Sequence, residues 1–104
     1  MSDAFLNLLG LARRASRLSP GHDAALAAVL RRRARLILLT SDASERLVRE
    51  FVRAGEERIT ILKLRYTMDE IYHAAGVRAA VLTIDDEGFA RKLQELNNRE
   101  ETSL

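Results

Sequence analysis

Four guanidiniums stand within five residues, at Arg31, Arg32, Arg33 and Arg35. Arginine presents its donors as a planar fork that matches phosphate and carboxylate oxygens. It stays charged in proteins, so the cluster can hold a polyanion but does no acid–base work. Upstream, Ser19-Pro20-Gly21 is turn chemistry: Pro fixes φ and Gly permits φ > 0. A glycine turn opening a helix leaves backbone N–H groups and the positive end of the helix dipole facing an anion. His22 and Asp23 flank that turn, and polar Thr40-Ser41-Asp42 follows the apolar run Leu36-Ile37-Leu38-Leu39. The segment 17–44 therefore reads as turn, helix, arginine cluster, buried strand and polar loop. A third candidate group, Gly76-Val77-Arg78, precedes another buried strand.

The charge distribution points the same way. Residues 1–41 carry seven basic and two acidic side chains, net +5, whereas residues 42–104 carry ten and thirteen, net −3. Basic charge gathered in one half suggests an electrostatic footprint for nucleic acid or another polyanion. Only Lys63 and Lys92 among the 17 basic residues are lysines, which favours bidentate contacts to phosphate and base edges. Ordinary solubility charge is the competing explanation. Cations at a helix C-terminus also favour the dipole, by ~0.3–1 kcal/mol each, which accounts for one arginine more readily than four.

Enzymatic chemistry finds no constellation. The chain has neither a P-loop nor a Gly-x-Gly-x-x-Gly segment, and Ser41-Asp42 and Asp85-Asp86-Glu87 read as helix caps. There is no Cys, hence no disulfide and no thiolate metal site, and the two histidines, His22 and His73, lie far apart in sequence. No metal or cofactor is expected. No apolar run approaches the roughly 20 residues that span a bilayer, so a cytoplasmic protein with no membrane partner is expected.

The elements that must position these groups alternate. Ser2 or Asp3 caps a first helix with Phe5, Leu8, Leu9 and Ala12 on one face. Arg17-Leu18-Ser19 is an edge strand stopped by Pro20. A second helix over about 22–33 turns Leu26, Val29 and Leu30 to the core. Residues 35–40 form a strand apolar on both faces, hence central. A third helix over 44–54 has Leu47, Val48, Phe51 and Val52 as its apolar face, with Gly55 as C′. Ile59 to Leu64 is a strand. Thr67 and Glu70 form a capping box for a fourth helix that ends at Gly76. Ala79 to Ile84 is a buried strand. A last helix carries Phe89, Leu93 and Leu96, and the pattern fades over 97–104 into a frayed tail. The reading is one domain over 1–96, a sheet between helix layers. In the usual winding, Gly21, the Ser41 loop and Gly76-Val77-Arg78 meet at one end of the sheet. Such a rim suits bent or unpaired RNA. Five aromatics, most of them fitting the core, exclude a stacking platform.

The segments FLNLLGLARRA (5–15), Gly21, ARLILLTSDAS (34–44), Ala75-Gly76 and Ala79-Ala80-Val81 resemble the kink-turn-binding ribosomal protein family, in the branch of small bacterial YlxQ-type proteins. The resemblance covers residues 4–94. It implies a three-layer α/β/α sandwich with a four-stranded mixed sheet, and non-catalytic RNA binding in association with ribosomes or translation. Family members open the second helix with Gly-x-Asn-Glu-x-x-Lys, which reads sheared G·A pairs. Here Gly21 is kept, Asp23 replaces Asn, Ala24 replaces Glu and Ala27 replaces Lys. Base contacts are worth ~1–3 kcal/mol each in DNA systems, so these replacements imply weakened kink-turn specificity. Arg31 to Arg33 could restore affinity for the backbone but not that specificity. The expected RNA-binding set is Gly21, His22, Asp23, Arg31, Arg32, Arg33, Ser41, Asp42, Gly76, Val77 and Arg78, with ribosomal or other structured RNA as partner. The alternative is a protein-interaction module that kept the fold and lost RNA recognition; homo-oligomerisation is left open.

Overall fold

Alternation within the short apolar runs builds the molecule. A computed structural model describes residues 3–102, with side chains through Arg99. The elements are α1 (Ala4–Arg14), β1 (Leu18–Pro20), α2 (His22–Leu30), β2 (Leu36–Leu39), α3 (Glu45–Gly55), β3 (Thr60–Lys63), α4 (Met68–Ala75), β4 (Val81–Ile84) and α5 (Glu87–Thr102). The strands form one sheet in the order β1-β4-β2-β3, with β2 and β3 parallel and the other pairs antiparallel. β2 and β4 are central and fully buried, because each serves a core on both faces.

Period two assigns their side chains. Leu36, Leu38, Leu82 and Ile84 join Phe5, Leu9, Ile71 and Leu93 in one core, under α1, α4 and α5. Ile37, Leu39 and Val81 join Ala25, Ala28, Val29 and Phe51 in the other, under α2 and α3. The result is the expected three-layer α/β/α sandwich with a four-stranded mixed sheet.

Local signals set most boundaries. Asp3 caps α1 through a bond from the Leu6 N–H, and Ser44 caps α3 through one from Leu47; Ser2, the other expected cap for α1, lies outside the described residues. Thr67 and Glu70 make the capping box of α4. The Asp86 carboxylate accepts from the Phe89 N–H and so starts α5.

Some expectations need correction. α2 ends at Leu30, which is 67% exposed, and meets the sheet through Ala25, Ala28 and Val29. Leu30 lies about 100° round the helix from Val29, off the buried stripe. Val52 is exposed for the same reason beside buried Phe51. Gly55 is the last residue of α3, packed against Ile37 and Ile61, and Glu56 takes the left-handed position after it. α5 continues past the fading pattern to Thr102, with Asn97 buried. The rest of the expected tail, 103–104, lies outside the described residues.

Candidate nucleic-acid interface

One end of the sheet gathers the three expected loops. Backbone bonds tie them together: the Gly21 N–H donates to Val81 O at 2.9 Å and the Thr40 N–H to Ala80 O at 3.0 Å. The Ser41 N–H donates to Tyr66 O at 2.8 Å. The ends of β1, β2 and β3 and the start of β4 therefore share a rim.

Gly21 has φ 88° and ψ 166°, a conformation essentially confined to glycine. Nothing lies within 4 Å of where its Cβ would be, so the backbone and not crowding demands glycine. No side chain caps α2. The first N–H groups of a helix have no partner within it, so those of α2 face the rim as donors.

His22 bridges two helices. Its Nδ1 lies 2.9 Å from Asp23 Oδ1 and its Nε2 lies 2.7 Å from Glu50 Oε2 on α3, while its ring meets Phe51 edge-on at 5.9 Å. The hydrogen bond to Asp23, then that to Glu50, raises its pKa above the ordinary 6.5. Asp42 ties the loop after β2 to α4 by accepting from the Met68 N–H at 3.0 Å. Hydrogen bonds from Thr40 and then Met68 hold its carboxyl below the usual range. Ser41 is exposed on the same rim.

The third loop behaves differently from residue to residue. Gly76 is left-handed at φ 76°, closing α4, and a Cβ there would stand 3.3 Å from the Arg13 guanidinium. Val77 is only 8% exposed and belongs to the core, so it presents little surface to a ligand. Arg78 is exposed, pairs with Asp69 at 2.8 Å and stacks over Tyr72 at 5.5 Å.

Arg31, Arg32 and Arg33 are not part of this rim. They follow the far end of α2, and nine helical residues separate them from Gly21 by roughly 13 Å. The Arg35 N–H donates to Ile84 O, at the opposite end of β4 from Val81. The rim itself carries Asp23, Asp42, Glu50 and Asp69 beside His22 and Arg78. Four carboxylates against two basic side chains leave the rim with no excess positive charge, and what it offers is hydrogen-bond donors.

Two further exposed groups stand out. Tyr72 is 46% exposed, although the aromatics were expected mostly in the core. The helical wheel carried the signal: buried Ile71 and Ala75 share one stripe, and Tyr72 lies off it. Arg58 lines one cleft with Arg32 and Arg35; an isolated arginine in a polar loop gives no signal of that. Among the described residues, no group of three His, Asp or Glu side chains could hold a metal ion. No helix among them is long and apolar enough to cross a membrane.

No family model matches the chain. The RNA-binding protein YlxQ of Enterococcus faecium is 30% identical over 92 residues, covering 88% of each chain. The RNA-binding protein YlxQ of Bacillus subtilis (strain 168) is 33% identical over 91 residues, 83% of this chain and 87% of its own. A solved structure of a protein of unknown function from Bacillus halodurans C superposes with a TM-score of 0.85 at 30% identity, over 93% of this chain and 99% of that one. The 15.5 kD RNA-binding protein of Giardia lamblia shares the fold, with a TM-score of 0.73 at 20% identity over 95% and 86% of the two chains.

Proposed function

The chain belongs to the family of the bacterial RNA-binding protein YlxQ, and from that premise we propose that it is a non-catalytic RNA-binding protein acting with ribosomes or translation in the cytoplasm. Structured RNA docks on the rim formed by Gly21, His22, Asp23, Ser41, Asp42, Gly76 and Arg78. One observation carries this reading: the Gly21 turn opens α2 onto the rim with no side chain capping its N–H groups. Those donors suit phosphate or base oxygens of a bent strand. Ser41 and the Arg78 fork add donors alongside.

Asp23 sets the limit on recognition. Its carboxylate lacks the amide donors of asparagine and repels phosphate. Ala24 and Ala27 add no polar contact. The protein therefore binds a kink-turn weakly at this rim.

Gel shifts with a kink-turn RNA and a plain duplex across a salt series test the reading. Asp23→Asn is expected to tighten binding to the kink-turn about fivefold or more over the duplex, the equivalent of one recovered base contact of ~1 kcal/mol. Failure of the natural chain to bind either RNA at low salt sinks the assignment. It would leave a protein-interaction module as the function of the fold.

A further inference from the structure

The opposite end of the sheet holds a cleft of about 460 Å³ between the chain leaving α2, the end of α3, the start of β3 and the first turns of α5. Arg32, Arg35 and Arg58 line it, with Thr60, Gln94 and Glu87. Three guanidiniums against one carboxylate leave it positive. Among the described residues, Arg32 and Arg35 make no side-chain ion pair or hydrogen bond. Arg58 pairs with Glu56 at 2.9 Å, but both are more than half exposed, and such pairs hold weakly.

The ending of α2 places part of this charge. Arg32 sits at φ 60°, the left-handed position that commonly ends a helix and that glycine fills most easily. Arg33 and Ala34 both donate to Ala28 O, which folds the chain back over the end of α2. Three cations lining one cleft repel one another and leave a positive surface that an anion from outside would neutralise.

The lining identifies the anion. Arginine forks grip phosphate bidentately, and the Thr60 hydroxyl and the Gln94 amide add neutral donors. No aromatic ring lines the cleft, so it offers neither a base-stacking surface nor an aromatic anchor for a protein partner. What remains to be held is the sugar–phosphate backbone.

We propose that this cleft is a second phosphate-binding site, which takes the backbone of an RNA segment distinct from the one at the rim. The proposal rests on RNA being the partner and does not need the rim to be occupied. The two sites open at opposite ends of the sheet, so one straight helical segment cannot fill both. The protein bridges two segments.

Amide NMR titration of the full chain with a plain 12-base-pair RNA duplex tests this, with inorganic phosphate and poly-glutamate in separate arms. The duplex is expected to shift the Arg32, Arg35 and Thr60 amides. Arg32→Ala with Arg35→Ala should weaken duplex binding roughly tenfold and reduce the salt slope by about 2. Arg32→Gly should bind more weakly while raising the melting temperature, which separates loss of the site from loss of the fold. Unchanged affinity in the double variant overturns the proposal. So do shifts from phosphate without shifts from duplex, which make the cleft a small-anion site. Equal shifts from poly-glutamate overturn it in favour of an acidic protein. The Gly21 and Ser41 amides report the rim in the same spectra, so the two sites succeed or fail independently.

Discussion

At the scale of single residues, His22 and Gly21 show how the rim is held. His22 has a carboxylate on each ring nitrogen, Asp23 from its own helix and Glu50 from α3. Protonated, the ring donates from both nitrogens; neutral, it donates from one. Its pKa is raised in the folded chain, so its contribution is complete below the ordinary 6.5 and is lost as pH rises through the raised value. The urea midpoint should therefore fall as pH rises from 6.5 through the raised value, and His22→Gln should flatten that fall. An equal fall in the variant would remove His22 as its cause. The pairing with Glu50 spans 28 residues and has no signature in sequence, whereas the Gly21 turn does. Pro20-Gly21 announces positive φ locally, and the structure holds Gly21 there.

At the scale of elements, caps decide where the loops stand. α4 has eight residues and carries the Gly76–Arg78 loop behind it. Its first turn is held twice, by the Thr67–Glu70 box and by Asp42 from the loop after β2. Thr67→Ala is expected to lower stability by about 1 kcal/mol, read from the denaturant midpoint. It should loosen Arg78 as well, visible as faster amide exchange at Gly76 and Arg78. A loss confined to stability would show that Asp42 alone holds the turn. The capping box is plain in the order Thr-x-x-Glu, because a cap is chemistry within four residues. The end of α2 was not plain. A left-handed residue just past a helix is a common ending, but with no glycine there nothing in the sequence marks Arg32 as that residue; the Arg32 N–H closes on Val29 O and the Arg33 N–H on Ala28 O, while Arg35 must reach Ile84. The exposure of Leu30 follows from that same ending and from alanines taking the contact with the sheet.

At the scale of the whole molecule, two cores flank one sheet and the two candidate sites lie at its two ends. The cores supply rigidity. Leu9, fully buried on α1, belongs to the first core. Leu9→Ala should cost about 2–5 kcal/mol of stability and leave the RNA affinity of the folded fraction unchanged. A drop in affinity measured well below the melting temperature would mean that the α1 layer reaches the site. The sequence by itself determined what depends on near neighbours: the helix and strand periods, the Ser44 and Thr67 caps, the glycine turn and the burial of Leu36–Leu39. Gly21 and Arg31 are ten residues apart in the chain and read there as one site. Only the tertiary structure decided that they stand at opposite ends of α2. A helix is a rigid rod, so α2 carries its ends apart by its own length, and the strand order β1-β4-β2-β3 settles which loops meet each end. Pairing of β2 with β3 brings Arg58 beside Arg35 from 23 positions away. That proximity is a property of strand order, which no window of sequence contains.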